Sequence, residues 1–284
     1  MNNVTDGVFF FDSGIGGLSV LSACRERLKG TTFYYYGDNP NAPYGNLPPE
    51  RIFQRVQEIF ISCARLPIRA AVLACNTVTA VCVETLRKSL PFPIIGAEPA
   101  VLLGARQGKS VLVLATKATC QSRRFTLLLT RARELYPNVR IECFACEQLA
   151  GAIEHGLGRG ETDITSHLPK AQPDVVVLGC THYVFVKKQI ADFYNCVVVD
   201  GNQGIAARLQ WAIETSTTTI QSPTAKIERS AQGRALARGQ TQENALPAFT
   251  DYTLLKGKNG EGDIFFLGKA KNSNLVIYEQ MFAK

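Results

Sequence analysis

The sequence predicts an α/β protein of two similar lobes, each with a mainly parallel sheet flanked by helices, and an active site in the cleft between them. Three observations lead there. Short runs of apolar, β-branched and aromatic residues alternate with amphipathic stretches along most of the chain, the pattern of buried parallel strands joined by helices. Four of the strand ends fall into two matching pairs. The 284 residues, 46% hydrophobic and 19% charged, suffice for two modest cores of an ordinary globular protein.

Strands are expected at Gly7–Phe11, Thr32–Tyr36, Ala70–Leu73, Ile94–Ile95, Ser110–Leu114, Val139–Phe144, Asp174–Leu178 and Val197–Val199. Each is a compact apolar run, most of them ended by small or polar turn residues. Helical spacing fits Pro48–Leu66, Thr79–Ser89, Gln121–Leu135 and Tyr183–Phe193. From about Ser216 to Asn244 the chain turns to Ser, Thr, Gln, Lys and Arg and apolar periodicity fades, which reads as a long loop or mobile segment. Structure is expected to resume at Asp263–Leu267 and Leu275–Phe282. The first lobe is assigned residues 1–97 with 205–284, and the second residues 98–204.

The pairing of strand ends is a weak internal duplication. Val8–Phe11 runs into Asp12-Ser13-Gly14, and Val111–Leu114 into Ala115-Thr116-Lys117. Ala71–Leu73 runs into Ala74-Cys75-Asn76-Thr77, and Val175–Leu178 into Gly179-Cys180-Thr181-His182. The separations Asp12 to Cys75 and Ala115 to Cys180 are nearly equal.

Composition narrows the function classes. No apolar run is long enough to cross a bilayer, and the N-terminus does not read as a signal peptide, so a cytoplasmic enzyme is expected. The net charge of +7 comes from scattered Lys and Arg without interleaved aromatics, which argues against a nucleic-acid partner. Nine cysteines, an odd count in a reducing compartment, read mostly as small buried hydrophobes. Cys143 and Cys146 form a lone C-x-x-C with no second pair at zinc-finger spacing, so no metal site is read there.

Cys75 and Cys180 are different. Each is placed where a buried strand ends and a helix is expected to begin, the edge at which such folds bind ligands. Helix N-termini favour a thiolate and can hold a carboxylate. Asn76, Thr77, Thr181 and His182 add hydrogen-bonding groups on the same turns, and an imidazole beside Cys180 can help it ionise. Two such thiols suit acid–base work at a stereocentre, with one group removing a proton and the other delivering one to the opposite face. In Asp12-Ser13-Gly14-Ile15-Gly16-Gly17, Ser19 breaks the dinucleotide-loop pattern. The glycines instead let amides and Ser13 approach a small carboxylate, while Asp12 either orients a substrate ammonium, assists a cysteine or only stabilises the turn. The rigid loop Gly37–Gly45 either lines the site or merely connects.

Taken together, DSGIGGLSV at Asp12–Val20, GDNPNAPYG at Gly37–Gly45, ACNT at Ala74–Thr77 and GCTHY at Gly179–Tyr183 resemble glutamate racemase of the aspartate/glutamate racemase superfamily, over roughly the first 210 residues. The resemblance implies cofactor-free interconversion of L- and D-glutamate, supplying D-glutamate for peptidoglycan, in a chain that forms homodimers. It implies that Cys75 deprotonates the D-isomer and Cys180 the L-isomer, assisted by Asp12, Glu154 and His182. Substrate contacts implied are Asp12, Ser13, Tyr44, Gly45, Asn76, Thr77, Thr119, Thr181 and His182; Asp38 matches a family acid. Val184 and Ala118 depart from the family's usual proline and glycine. Competing readings are a racemase of aspartate or a related acidic compound, and a two-lobed acidic amino-acid binding or regulatory protein without turnover.

Overall fold

The structure, a computed structural model, describes residues 7–63, 66–156, 163–216, 252–268 and 271–282. Among the described residues ten strands form two sheets. They are β1 (Gly7–Asp12), β2 (Phe33–Gly37), β3 (Ile68–Leu73), β4 (Ile94–Gly96), β5 (Ser110–Ala115), β6 (Arg140–Ala145), β7 (Val175–Gly179), β8 (Val197–Val199), β9 (Tyr252–Leu255) and β10 (Ile264–Leu267). The first sheet has the order β4-β3-β1-β2-β10-β9 and the second β6-β5-β7-β8. All pairings are parallel except β9 with β10.

The duplication read from the strand ends has a topological counterpart. β1 lies between β3 and β2 as β5 lies between β7 and β6, and β4 and β8 occupy matching outer positions. Both faces of each sheet are covered. Val8 and Phe10 point into one core while Phe9 and Phe11 point into another, and Leu112 and Leu114 are separated from Val111, Val113 and Ala115 in the same way. A strand buried on both sides has no polar alternation, hence the unbroken apolar runs.

The helices are α1 (Gly17–Arg27), α2 (Pro49–Cys63), α3 (Asn76–Ser89), α4 (Val101–Gln107), α5 (Lys117–Cys120), α6 (Arg123–Leu135), α7 (Leu149–Gly156), α8 (Lys187–Tyr194), α9 (Asn202–Thr215) and α10 (Lys271–Phe282). In α2 the residues Ile52, Val56, Ile59, Phe60 and Cys63 fall on one buried stripe. In α6, Ser122 caps the N-terminus by accepting from the Phe125 N–H at 3.1 Å.

Several expectations are corrected. The helix expected from Thr79 starts at Asn76, because Cys75 takes the N-cap position. The helix expected from Tyr183 begins as a tight 3-10 turn, Thr181–Val186, and becomes α-helical only at Lys187. β9 was not anticipated, and the end of the chain forms helix α10 from Lys271 onward. Cys143 is exposed rather than buried, because β6 is an edge strand and most of its residues face outward. The polar stretch of 216–244 lies, apart from Ser216, outside the described residues. Among the described residues no helix is long and apolar enough to cross a membrane.

Candidate active site

The central strands of both sheets deliver the site residues at their carboxyl ends. β1 ends in Asp12, β3 leads into Cys75, β5 into Thr116 and β7 into Cys180. This is where parallel sheets place ligands, because helix N-termini and open loops converge there.

Cys75 is 6% exposed and sits at the N-cap of α3. The Ser13 hydroxyl donates to its Sγ at 3.4 Å. Burial, reinforced by the charge of Asp12 and opposed by Ser13, pushes this thiol up to about 12. In the closed site it carries its proton.

Cys180 is 8% exposed and lies 3.8 Å from His182 Nδ1. On the other edge of the ring, His182 Nε2 is 2.6 Å from Glu154 Oε1, an acid brought in by α7. Burial favours the neutral ring, but hydrogen bonds to Cys180 and Glu154 and the charges of Cys180 and Asp12 outweigh it, raising the His182 pKa well above the ordinary value. A ring that favours its protonated form therefore stands between the Cys180 sulfur and the Glu154 carboxyl group.

Asp12 is fully buried. Its Oδ1 accepts from the Gly14 N–H at 2.9 Å and its Oδ2 from the Thr181 hydroxyl at 3.2 Å. Burial raises its pKa, against the opposing charge of His182 and the Gly14 hydrogen bond. The loop after β1 thus touches both thiol environments, through Ser13 to Cys75 and through Asp12 to Thr181. It also donates from the Ile15 N–H to Glu154 Oε1 at 3.3 Å.

The two lobes meet again at Thr77 and Thr116. Thr77 Oγ1 is 2.9 Å from Thr116 Oγ1, which in turn donates to Thr119 Oγ1 at 3.0 Å. Gly45 packs against Thr116, leaving 3.1 Å for any added Cβ. Asn76 is buried with its Oδ1 free of a protein partner, and it lines two cavities of about 10 Å³ each. One also reaches Cys180, Thr181 and Val184; the other reaches Thr119. A much larger cavity, about 770 Å³ and lined by Arg87, Arg124, Arg208 and Trp211 among others, takes in neither cysteine.

Tyr44 stands slightly apart, its hydroxyl donating to Asp38. Asp38 is buried and held by the Arg55 guanidinium fork at 2.8 and 2.7 Å. Burial alone would raise its pKa, but the bonds from Arg55 and Tyr44 hold it below the ordinary carboxylate value. The rigid loop is therefore fastened from beneath by an ion pair. Reading the sequence missed Arg55, which has no motif, and Thr116. The second had a signal: in the duplication Thr116 occupies the position of Ser13.

The Asp/Glu/Hydantoin racemase family model matches residues 17–209. The chain belongs to this racemase family. Among its relatives are a glutamate racemase of Bifidobacterium animalis subsp. lactis, 35% identical over 72% of this chain and 83% of that one, and one of Clostridium botulinum, 34% identical over 73% and 83%. The solved Escherichia coli glutamate racemase, in complex with L-glutamate and the activator UDP-MurNAc-Ala, aligns with a TM-score of 0.69 at 30% identity over 77% of this chain and 86% of that chain. The Campylobacter jejuni glutamate racemase shares the fold over 98% of both chains, with a TM-score of 0.68 at 22% identity. The racemase family match begins at Gly17, so the Asp12–Gly16 loop precedes it, while Cys75 and Cys180 both fall inside.

Proposed function

We propose that this protein interconverts L- and D-glutamate without a cofactor, with Cys75 and Cys180 as the two proton-transfer groups. The observation that carries this is the arrangement of polar groups about the sulfurs. Each thiol has its own attendants, Ser13 for one and His182 with Glu154 for the other, and a single loop reaches both. Membership of a racemase family and 35% identity to a glutamate racemase support the substrate.

In this reading a thiolate at Cys180 takes the Cα proton of L-glutamate, and the Cys75 thiol returns its own proton to the opposite face. Starting from D-glutamate, the roles reverse. Each turnover exchanges the protonation states of the two sulfurs, and proton exchange with water restores them. The protonated Cys75 and the imidazolium beside Cys180 favour the arrangement that starts from the L-isomer. Asn76, Thr77, Thr119 and Thr181, with the backbone amides near Ser13 and Gly45, offer donors for the substrate carboxylates, and Asp12 suits its ammonium. Tyr44 contributes by donating to Asp38 across the Gly37–Gly45 loop and so fixing the loop's shape.

The bodies that close on the substrate are taken as residues 1–97 with 205–284, and 98–204. Water exclusion on closure would strengthen stabilisation of the carbanion. D-glutamate for peptidoglycan is the product the cell would use; a cytoplasmic location and assembly as a homodimer belong to the same reading.

The decisive experiment is exchange of the Cα proton for deuterium with each glutamate enantiomer and no added cofactor. Wild-type protein should exchange and racemise both. Cys75→Ser and Cys180→Ser should each lose racemisation by roughly 10³-fold or more while keeping the native circular dichroism. Full activity in either variant would end the two-thiol mechanism. Faster exchange with aspartate would reassign the substrate, and tight glutamate binding without exchange would make the protein a binding module.

A further inference from the structure

Helix α10 lies beyond residue 209, where the racemase family match ends, yet its first turn reaches the candidate active site. Asn274 is fully buried, and its Oδ1 accepts from Asn39 Nδ2 at 3.0 Å. Asn39 opens the 3-10 turn Asn39–Asn41 at the head of the Gly37–Gly45 loop. Asn39 Oδ1 and Asn274 Nδ2 have no hydrogen-bond partner among the described residues, so one amide-to-amide bond joins these side chains.

Gly37 marks how closely the pieces approach. A Cβ there would stand 2.5 Å from the Gly14 carbonyl oxygen, 2.8 Å from Asn39 Oδ1 and 3.2 Å from Asn274 Nδ2. The Asp38 N–H donates to the Asp12 carbonyl at 3.0 Å, and the Tyr35 hydroxyl to that of Gly14 at 2.9 Å. The loop after β1, the loop after β2 and the start of α10 thus converge at one point. Arg55 and Tyr44 hold the Asp38 carboxylate, and Asn274 holds the next residue. Helix α10 has its own anchor, because Tyr278 is buried in the first core beside Phe266. Removing the Asn274 amide therefore leaves the helix docked and frees Asn39.

We propose that Asn274 is a positioning residue for the racemisation, holding the Gly37–Gly45 loop in the shape that presents the backbone near Gly45 to a substrate carboxylate. This role rests on the racemase reading for what the loop serves, and on the Asn39–Asn274 bond for how the loop is held. Without that bond the Asn39 amide is left unpaired and the loop must be ordered when substrate binds. That cost falls on substrate and transition state alike, so KM rises while kcat holds.

The test compares wild type, Asn274→Ala, Asn39→Ala and the double variant in racemisation of each glutamate enantiomer. Each single variant should raise KM about tenfold with kcat within about twofold of wild type. The double variant should be no worse than either single, because both remove the same bond. Asn39→Ala breaks it without touching α10, so a folding defect in Asn274→Ala cannot mask the outcome. Unchanged KM, a loss of kcat alone as expected from fewer folded molecules, or losses that multiply in the double variant would each overturn the proposal. Amide exchange without substrate decides the brace even if wild type proves inactive on glutamate, which would sink the racemase reading instead. The Asn41 and Ala42 N–H groups, bonded to the Asp38 and Asn39 carbonyls, should exchange about tenfold faster in Asn274→Ala, with Ala74 in β3's bond to Phe11 unchanged. Equal rates at Asn41 and Ala42 would show that Asn274 holds nothing there.

Discussion

His182 is where burial and charge oppose each other most directly. Its ring is enclosed, which alone would keep it neutral, yet it bridges Cys180 and Glu154. Because its folded-state pKa is raised, this group's contribution to stability is fully present below the ordinary histidine value. It is lost as pH rises through the higher folded value. The same proton would balance a thiolate at Cys180 during turnover. Glu154→Gln removes one of the two hydrogen-bonded groups that raise the pKa and leaves burial in place, so the His182 pKa should fall. The expected outcome is a basic limb of the pH–kcat profile displaced about one unit toward lower pH, with L-glutamate as substrate. A profile that falls uniformly without moving would show that Glu154 only braces the fold. Cys75 presents the opposite balance: burial and the charge of Asp12 outweigh the Ser13 hydrogen bond, and the thiol keeps its proton.

At the level of elements, the loop from Asp12 to Gly17 depends on glycines where it approaches the other lobe. A Cβ on Gly14 would collide with the Glu154 carboxylate, and one on Gly16 with the Thr181 hydroxyl. The Gly16 case is the more severe because the His182 backbone nitrogen also lies only 2.8 Å from that Cβ and cannot swing aside. These glycines permit the close approach of one lobe's loop to the other lobe's turn. Gly16→Ala should therefore hold the lobes apart by a fraction of an ångström at the proposed site. Misplacement of that size costs about 10²-fold in kcat/KM, while the cores, away from the cleft, keep Tm within about 4 °C of the wild type. Steady-state kinetics beside a thermal melt checks this; a large fall in Tm with unchanged kcat/KM would place the requirement in the fold instead.

Across the whole molecule, the described contacts close the cleft. Ile15 donates to Glu154, Thr181 to Asp12, and Thr77 meets Thr116, each pair joining residues of the two sheet regions. The cavities beside Asn76, about 10 Å³ each, are smaller than an amino acid. In the proposed reading, substrate enters by separation of the lobes, breaking these bonds, and bound glutamate should restrict further opening. Amide exchange at Ile15, whose N–H lies in one of those bonds, should slow about tenfold in saturating glutamate. Equal exchange rates with and without glutamate would argue against an opening step.

Strand positions and the two cysteines at strand ends were legible from the sequence because both obey local rules. A strand covered on both faces must be apolar throughout, so β1, β3, β5 and β7 announced themselves, and their polar ends were confined to a few residues around Asp12, Cys75, Thr116 and Cys180. The repeat of strand followed by small residue and cysteine carried the two-lobed arrangement. Only the tertiary structure brought Glu154 to His182, Thr116 to Thr77 and Arg55 to Asp38. These partners lie on separate elements, and their meeting depends on how helices settle against the sheets. The raised pKa values of Cys75 and Asp12 follow from that same enclosure, since desolvation belongs to the surroundings of a side chain and not to its identity.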